Sequence, residues 1–134
     1  IRVMLDQPQR VTRLQELSAL LLRLAKEAKL DIGRSAGTPV IPVILGDARR
    51  CMEMSQRLLQ AGINVRPILP PAVEENAARL RFFITCEHTE EQLQTTVLAT
   101  KNALAEESSE AANGHPYTGN GKSRQTAQRP GRTN

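Results

Sequence analysis

The chain has 134 residues, enough for one small domain, and 40% of them are hydrophobic, so an ordinary core can form. That core must be aliphatic: Phe82, Phe83 and Tyr117 are the only aromatics, which leaves no platform on which nucleobases could stack. The formal net charge of +4 is uneven, because Lys122, Arg124, Arg129 and Arg132 against Glu110 put most of the excess after residue 107, so nucleic acid is not an expected partner of the folded part.

A helix is predicted over residues 7–30. Val11, Leu14, Leu17, Leu21, Leu24, Ala25 and Ala28 recur three or four apart, and Arg13, Gln15, Glu16, Arg23, Lys26 and Glu27 fill the other face. Pro8 suits the first turn, and the two glycines of "DIGRSAGT" end the pattern. A β-branched run from Val40 to Leu45 reads as a strand. Pro42 inside it has no N–H, so it must mark an irregularity or turn that side to an edge.

Asp47 is the expected N-cap of a second helix, "ARRCMEMSQRLLQA", with Cys51, Met54, Ser55, Leu58, Leu59 and Ala61 as its buried stripe and Gly62 as its stop. Ile63 to Ile68 alternates apolar and polar residues, as a strand with one wet face does. "LPPAVEENA" reads as an extended, proline-stiffened connection to a third strand, "ARLRFFIT". Thr89 and Gln92 form a capping-box pattern at the start of a last helix, residues 90–107, that buries Leu93, Val97, Leu98 and Leu104. From residue 108 to 134 the composition turns to Ser, Gly, Asn, Gln, Pro and Arg, which cannot bury enough surface to offset its ordering entropy, so a disordered basic tail is expected. The order helix, strand, helix, strand, strand, helix implies an α+β fold, a small antiparallel-type sheet with helices packed on it.

No apolar run approaches the roughly 18 residues of a membrane span. No signal peptide is evident, and an opening Ile1 in place of Met suggests a piece of something longer. Cys51 and Cys86 stand far apart, without a CxxC or clustered His, so neither a zinc site nor a disulfide framework is expected, and a reduced, cytoplasmic setting is.

The residues with chemical interest sit around the third strand. Arg79 and Arg81 point to one face and Leu80 and Phe82 to the other, because strand side chains alternate. Two readings stay open from the pattern: a solvated strand face, or a guanidinium that grips a carboxylate with paired hydrogen bonds. His88, in the link to the last helix, is more often a structural hydrogen bonder than a catalyst. The chain contains no phosphate-cradling glycine motif, no GxSxG elbow and no HExxH, so it holds no complete reaction centre.

In that order and at those separations, "GTPVIPVILGD", "LLQAGINVRPILPPAV" and "ARLRFFITCEHTEEQL" resemble the C-terminal small domain of the α-oxoamine synthases, fold-type I pyridoxal-phosphate (PLP) enzymes of the 8-amino-7-oxononanoate synthase type. The resemblance covers residues 1–107. It implies a transferase that condenses an amino acid with an acyl-CoA or acyl-carrier thioester, with PLP bound mainly by a large upstream domain and the full-length enzyme a homodimer. By matching position it also implies that Arg81 contacts the substrate carboxylate, with Arg79 accessory and His88 behind the site. Ala72 stands where biotin-pathway members carry a substrate-contacting threonine, a departure that leaves room for another acyl chain. The cofactor lysine has no match here, so the isolated chain is expected to be inactive.

Two other readings compete. The small domain of a class I/II aminotransferase would share the fold, and requirement for a keto acid in place of a thioester would separate it. A non-enzymatic α+β interaction module with a basic tail would bind anionic partners with a steep salt dependence.

Overall fold

The computed structural model describes residues 5–114. Helix α1 spans Pro8–Glu27, strand β1 Val40–Gly46, helix α2 Ala48–Gln60, strand β2 Arg66–Ile68, strand β3 Ala78–Phe83 and helix α3 Glu90–Ala112. The three strands form one antiparallel sheet in the order β1-β3-β2, so β3, the strand that carries both arginines, is central.

The proline problem is solved at the edges. β1 is an edge strand, and the Ile44 N–H turns away from β3 to donate to the Asp31 carbonyl at 2.7 Å. Pro42 lies two residues earlier, so its nitrogen faces the same outer side and no rung of the ladder is lost. On the opposite edge, Arg66 and Ile68 pair with Arg81 and Arg79, which leaves the nitrogen of Pro67 facing outward in the same way. Both edges are thereby blunted against further strand pairing.

One sheet face is dry. Ile41, Val43 and Leu45 from β1, Ala78, Leu80 and Phe82 from β3, and Val65 ahead of β2 are buried against Leu17, Leu21 and Ala25 of α1, Cys51, Met54 and Leu58 of α2, and Leu93 and Val97 of α3. Two buried hydroxyls satisfy themselves on the preceding helical turn: Ser18 Oγ donates to the Leu14 carbonyl at 2.7 Å and Thr100 Oγ1 to the Thr96 carbonyl at 2.8 Å. The stripes differ from expectation at three positions. Leu59 and Leu98 are each 58% exposed and Ala61 is exposed, because the buried stripes step through 51, 54 and 58 on α2 and through 93, 97 and 100 on α3.

Helix ends follow local chemistry. Asp47 caps α2 by accepting the Arg50 N–H at 2.8 Å, and Thr89 and Gln92 form the full reciprocal box at the start of α3. At the end of α2, Gly62 takes φ of 82°, while its N–H and that of Ile63 donate to the Leu59 and Leu58 carbonyls. The same closure ends α1 with Lys29 in the glycine position at φ of 58°.

Two expectations need correction. The connection 69–77 is not extended: β2 and β3 are antiparallel neighbours, so the chain must reverse, and it does so through turns closed by Ala72 N–H to Leu69 O and Ala77 N–H to Glu74 O. The last helix also runs past residue 107 to Ala112, where Glu107 and Glu110 pair with Arg50 and Arg57 of α2 and tie the final turns down. The expected disorder beyond residue 114 falls outside the described residues.

Candidate functional site

Among the described residues no helix packs on the second sheet face. The register builds it in rows: Val40 beside Phe83, then Pro42, Arg81 and Arg66, then Ile44, Arg79 and Ile68. Paired residues in an antiparallel ladder share a face, so Arg81 stands directly between Pro42 and Arg66. Arg79 and Arg81 are half-buried, Arg66 is exposed, and Phe83 is 59% exposed at the apolar end.

The two arginines of β3 differ in what they touch. Arg79 Nε donates to the Ala77 carbonyl at 3.0 Å, which holds that guanidinium along its own strand. The guanidinium of Arg81 makes no hydrogen bond or ion pair with any described residue, and neither does that of Arg66. Five helical arginines behave otherwise: Arg10 meets Glu87, Arg13 meets Glu90, Arg49 meets Glu53, Arg50 meets Glu107 and Arg57 meets Glu110. The open face thus holds three guanidinium groups that no described carboxylate neutralises, Arg66 and Arg81 directly opposite each other and Arg79, bonded to a backbone carbonyl, in the next row. Like charges placed directly opposite repel. Such an arrangement can receive an anion from outside the described residues.

His88 does local work. Its Nδ1 accepts the Thr85 N–H at 2.9 Å and lies 3.0 Å from Thr85 Oγ1, so the ring staples the turn between β3 and α3. It borders a groove of about 490 Å³ at the end of the sheet, together with Gly62, Asn64, Phe83 and Gln92, and Arg81 is not part of that groove. Ala72 is exposed in the turn after the proline pair, where its N–H is taken up by Leu69. Cys86 Sγ accepts from Arg10 Nε at 3.3 Å. Cys51 is fully buried, and burial pushes its thiol above the usual range.

The described residues do not fit as a cradle for PLP. Lys26, Lys29 and Lys101 are exposed on the helices or at the end of α1, none of them in the rows of the open face, and Lys122 lies outside the described residues. Among the described residues no group of His, Cys, Asp and Glu could hold a metal ion. No helix there is long and apolar enough to cross a membrane.

Arg66 is the residue that sequence reasoning passed over. The alternation of "INVRPI" puts it on the wet face of its strand, but only the register brings it opposite Arg81.

No family model matches the chain. Curated proteins do. It is 36% identical over 99 residues to 8-amino-7-oxononanoate synthase of Symbiobacterium thermophilum, covering 74% of this chain and 25% of that protein. It is 40% identical over 97 residues to the putative 8-amino-7-oxononanoate synthase of Geobacillus kaustophilus, covering 72% and 25%. Among solved structures, serine palmitoyltransferase from S. paucimobilis with bound PLP-myriocin aligns with a TM-score of 0.72 at 26% identity, covering 78% of this chain and 27% of that one. The 8-amino-7-oxononanoate synthase of Francisella tularensis, at 20% identity and a TM-score of 0.65, shares the fold. The chain spans about a quarter of the length of the curated relatives it matches.

Proposed function

We infer that this chain, a relative of the α-oxoamine synthases by sequence and by fold, serves as the small domain of such an enzyme and supplies Arg81 as the guanidinium that holds the carboxylate of the amino-acid substrate. The observation that carries this reading is the half-buried guanidinium of Arg81, without a partner among the described residues, on a central strand whose face no described helix covers. A planar fork of donors fits a carboxylate with two parallel hydrogen bonds, and fixing the carboxylate fixes which bond at Cα is held ready to break. PLP held by the rest of the enzyme would supply the electron sink for chemistry at Cα.

Strand β3 is suited to the task because its other face is locked in the core by Ala78, Leu80 and Phe82, which keeps the arginine backbone in place. Arg79 contributes by position, and His88 holds the turn that follows the strand. Ala72, exposed in the turn after the proline pair, is the position assigned to the acyl donor. A large upstream domain, a homodimeric assembly and a cytoplasmic setting complete the reading.

The test is steady-state kinetics of the full-length PLP-loaded protein with an acyl thioester. Arg81→Ala should raise KM for the amino acid by roughly ten- to a hundredfold, the loss of one charge-assisted bidentate contact, and leave KM for the thioester within about twofold. Arg81→Lys should recover only part, because an ammonium makes a single-point contact. Unchanged amino-acid KM in Arg81→Ala refutes the role. Turnover with a keto acid in place of the thioester would assign the chain to an aminotransferase.

A further inference from the structure

The cross-strand partner of Arg81 gives the open face a second charge that the carboxylate role of Arg81 does not use. Arg66 lies directly opposite Arg81 in the β2–β3 ladder, on the same face, and neither guanidinium meets a carboxylate among the described residues. On its other side Arg81 has Pro42, and the next row offers Ile44 and Ile68 flanking Arg79, whose Nε is already engaged. The positive field therefore extends from Arg81 across to Arg66 at the β2 edge and along β3 to the tethered Arg79, bordered by Pro42, Ile44 and Ile68.

Folding gains nothing from such a pair. Cross-strand like charges work against the sheet, and a neutral polar residue at position 66 would keep the wet face equally well. A pair of this kind is stabilised when an external ligand brings negative charge to both forks at once. A hydrocarbon spacer between two carboxylates matches the bordering Pro42 and Ile68 better than a single compact anion does.

We propose that Arg66 and Arg81 together form a two-guanidinium site for a dicarboxylate, so that Arg66 is a specificity-determining residue selecting a substrate with a second acidic group. This rests on the reading of Arg81 as the carboxylate ligand. Arg81 takes the first carboxylate and Arg66 the second, through charge-assisted hydrogen bonds from each fork.

The experiment titrates the 134-residue chain with acetate, succinate and inorganic phosphate at low ionic strength, following arginine Nε–H and backbone signals of β2 and β3 by heteronuclear NMR. Succinate should bind at least about tenfold more tightly than acetate, consistent with one added charge-assisted contact. Arg66→Gln should abolish that preference while leaving acetate affinity within about twofold, and Arg66→Lys should restore part of it. Backbone spectra that stay dispersed in each variant certify the fold. Equal affinity for acetate and succinate, a preference that survives Arg66→Gln, or tighter binding of phosphate than of succinate overturns the dicarboxylate site. Acetate binding that survives Arg81→Gln instead overturns the underlying role of Arg81, so the two failures are distinguishable.

Discussion

Replacing Arg81 with Gln should leave the fold intact and raise its stability slightly, the reverse of what a half-buried residue on a central strand normally does. The reason is that nothing among the described residues neutralises it, whereas Arg66 repels it from the adjacent strand. Two unit charges about 6 Å apart repel by roughly 0.7 kcal/mol in water, and by more where solvent is partly excluded. Lost packing of the arginine stem offsets part of this gain. The net expected for Arg81→Gln is about 0.5 kcal/mol of added stability, an increase of roughly 2–4 °C in Tm for a domain of this size. Thermal unfolding of the 134-residue chain and the variant, at low salt and at about 1 M salt, is the assay. The difference should shrink at high salt, where the Debye length falls to about 3 Å. In Arg66→Gln the stabilisation from removing Arg81 should vanish and leave the small loss of stem packing, as a double-mutant cycle would register. A loss of more than about 1 kcal/mol on removing Arg81 would refute the reasoning, since it would require an intramolecular partner for that guanidinium.

Further predictions concern the scaffold. Lys29 holds φ of 58° in the turn that ends α1, so Lys29→Gly should stabilise the chain by about 1 kcal/mol, measured by urea unfolding. Leu80 on β3 is 0% exposed in the centre of the core, and Leu80→Ala should cost about 2–5 kcal/mol in the same assay. Cys86 should react with a thiol reagent in the native state, and Cys51 only on unfolding. Because burial raises the Cys51 thiol in the folded state, its contribution to stability is complete below the ordinary thiol pKa of about 8.5. That contribution falls as pH rises above this value toward the raised folded one, and Cys51→Ser should change this slope in a pH series of unfolding curves.

Periodicity made the element order legible because each helix and strand buries one face. Leu17, Leu21 and Ala25 on α1 and Leu80 and Phe82 on β3 are where alternation and helical spacing put them. The stripes of α2 and α3 were read too wide: Leu59 and Leu98 lie next to buried positions in sequence but about 100° around the helix from them. The extension of α3 to Ala112 depends on ion pairs from Glu107 and Glu110 to a different helix, which no local pattern reveals. The same limit applies to the site. Arg79 and Arg81 announce a shared face by spacing, yet which of them is free is decided by the Ala77 carbonyl, and the Arg66 neighbour by the register of a short strand.

The most direct test of the central claim is a structure of the full-length protein with its amino-acid substrate bound, read at the guanidinium of Arg81. The account predicts two N–H···O contacts of about 2.7–2.9 Å from Arg81 to the substrate carboxylate. A carboxylate held elsewhere, with Arg81 paired to an acidic side chain of the rest of the enzyme, would contradict it.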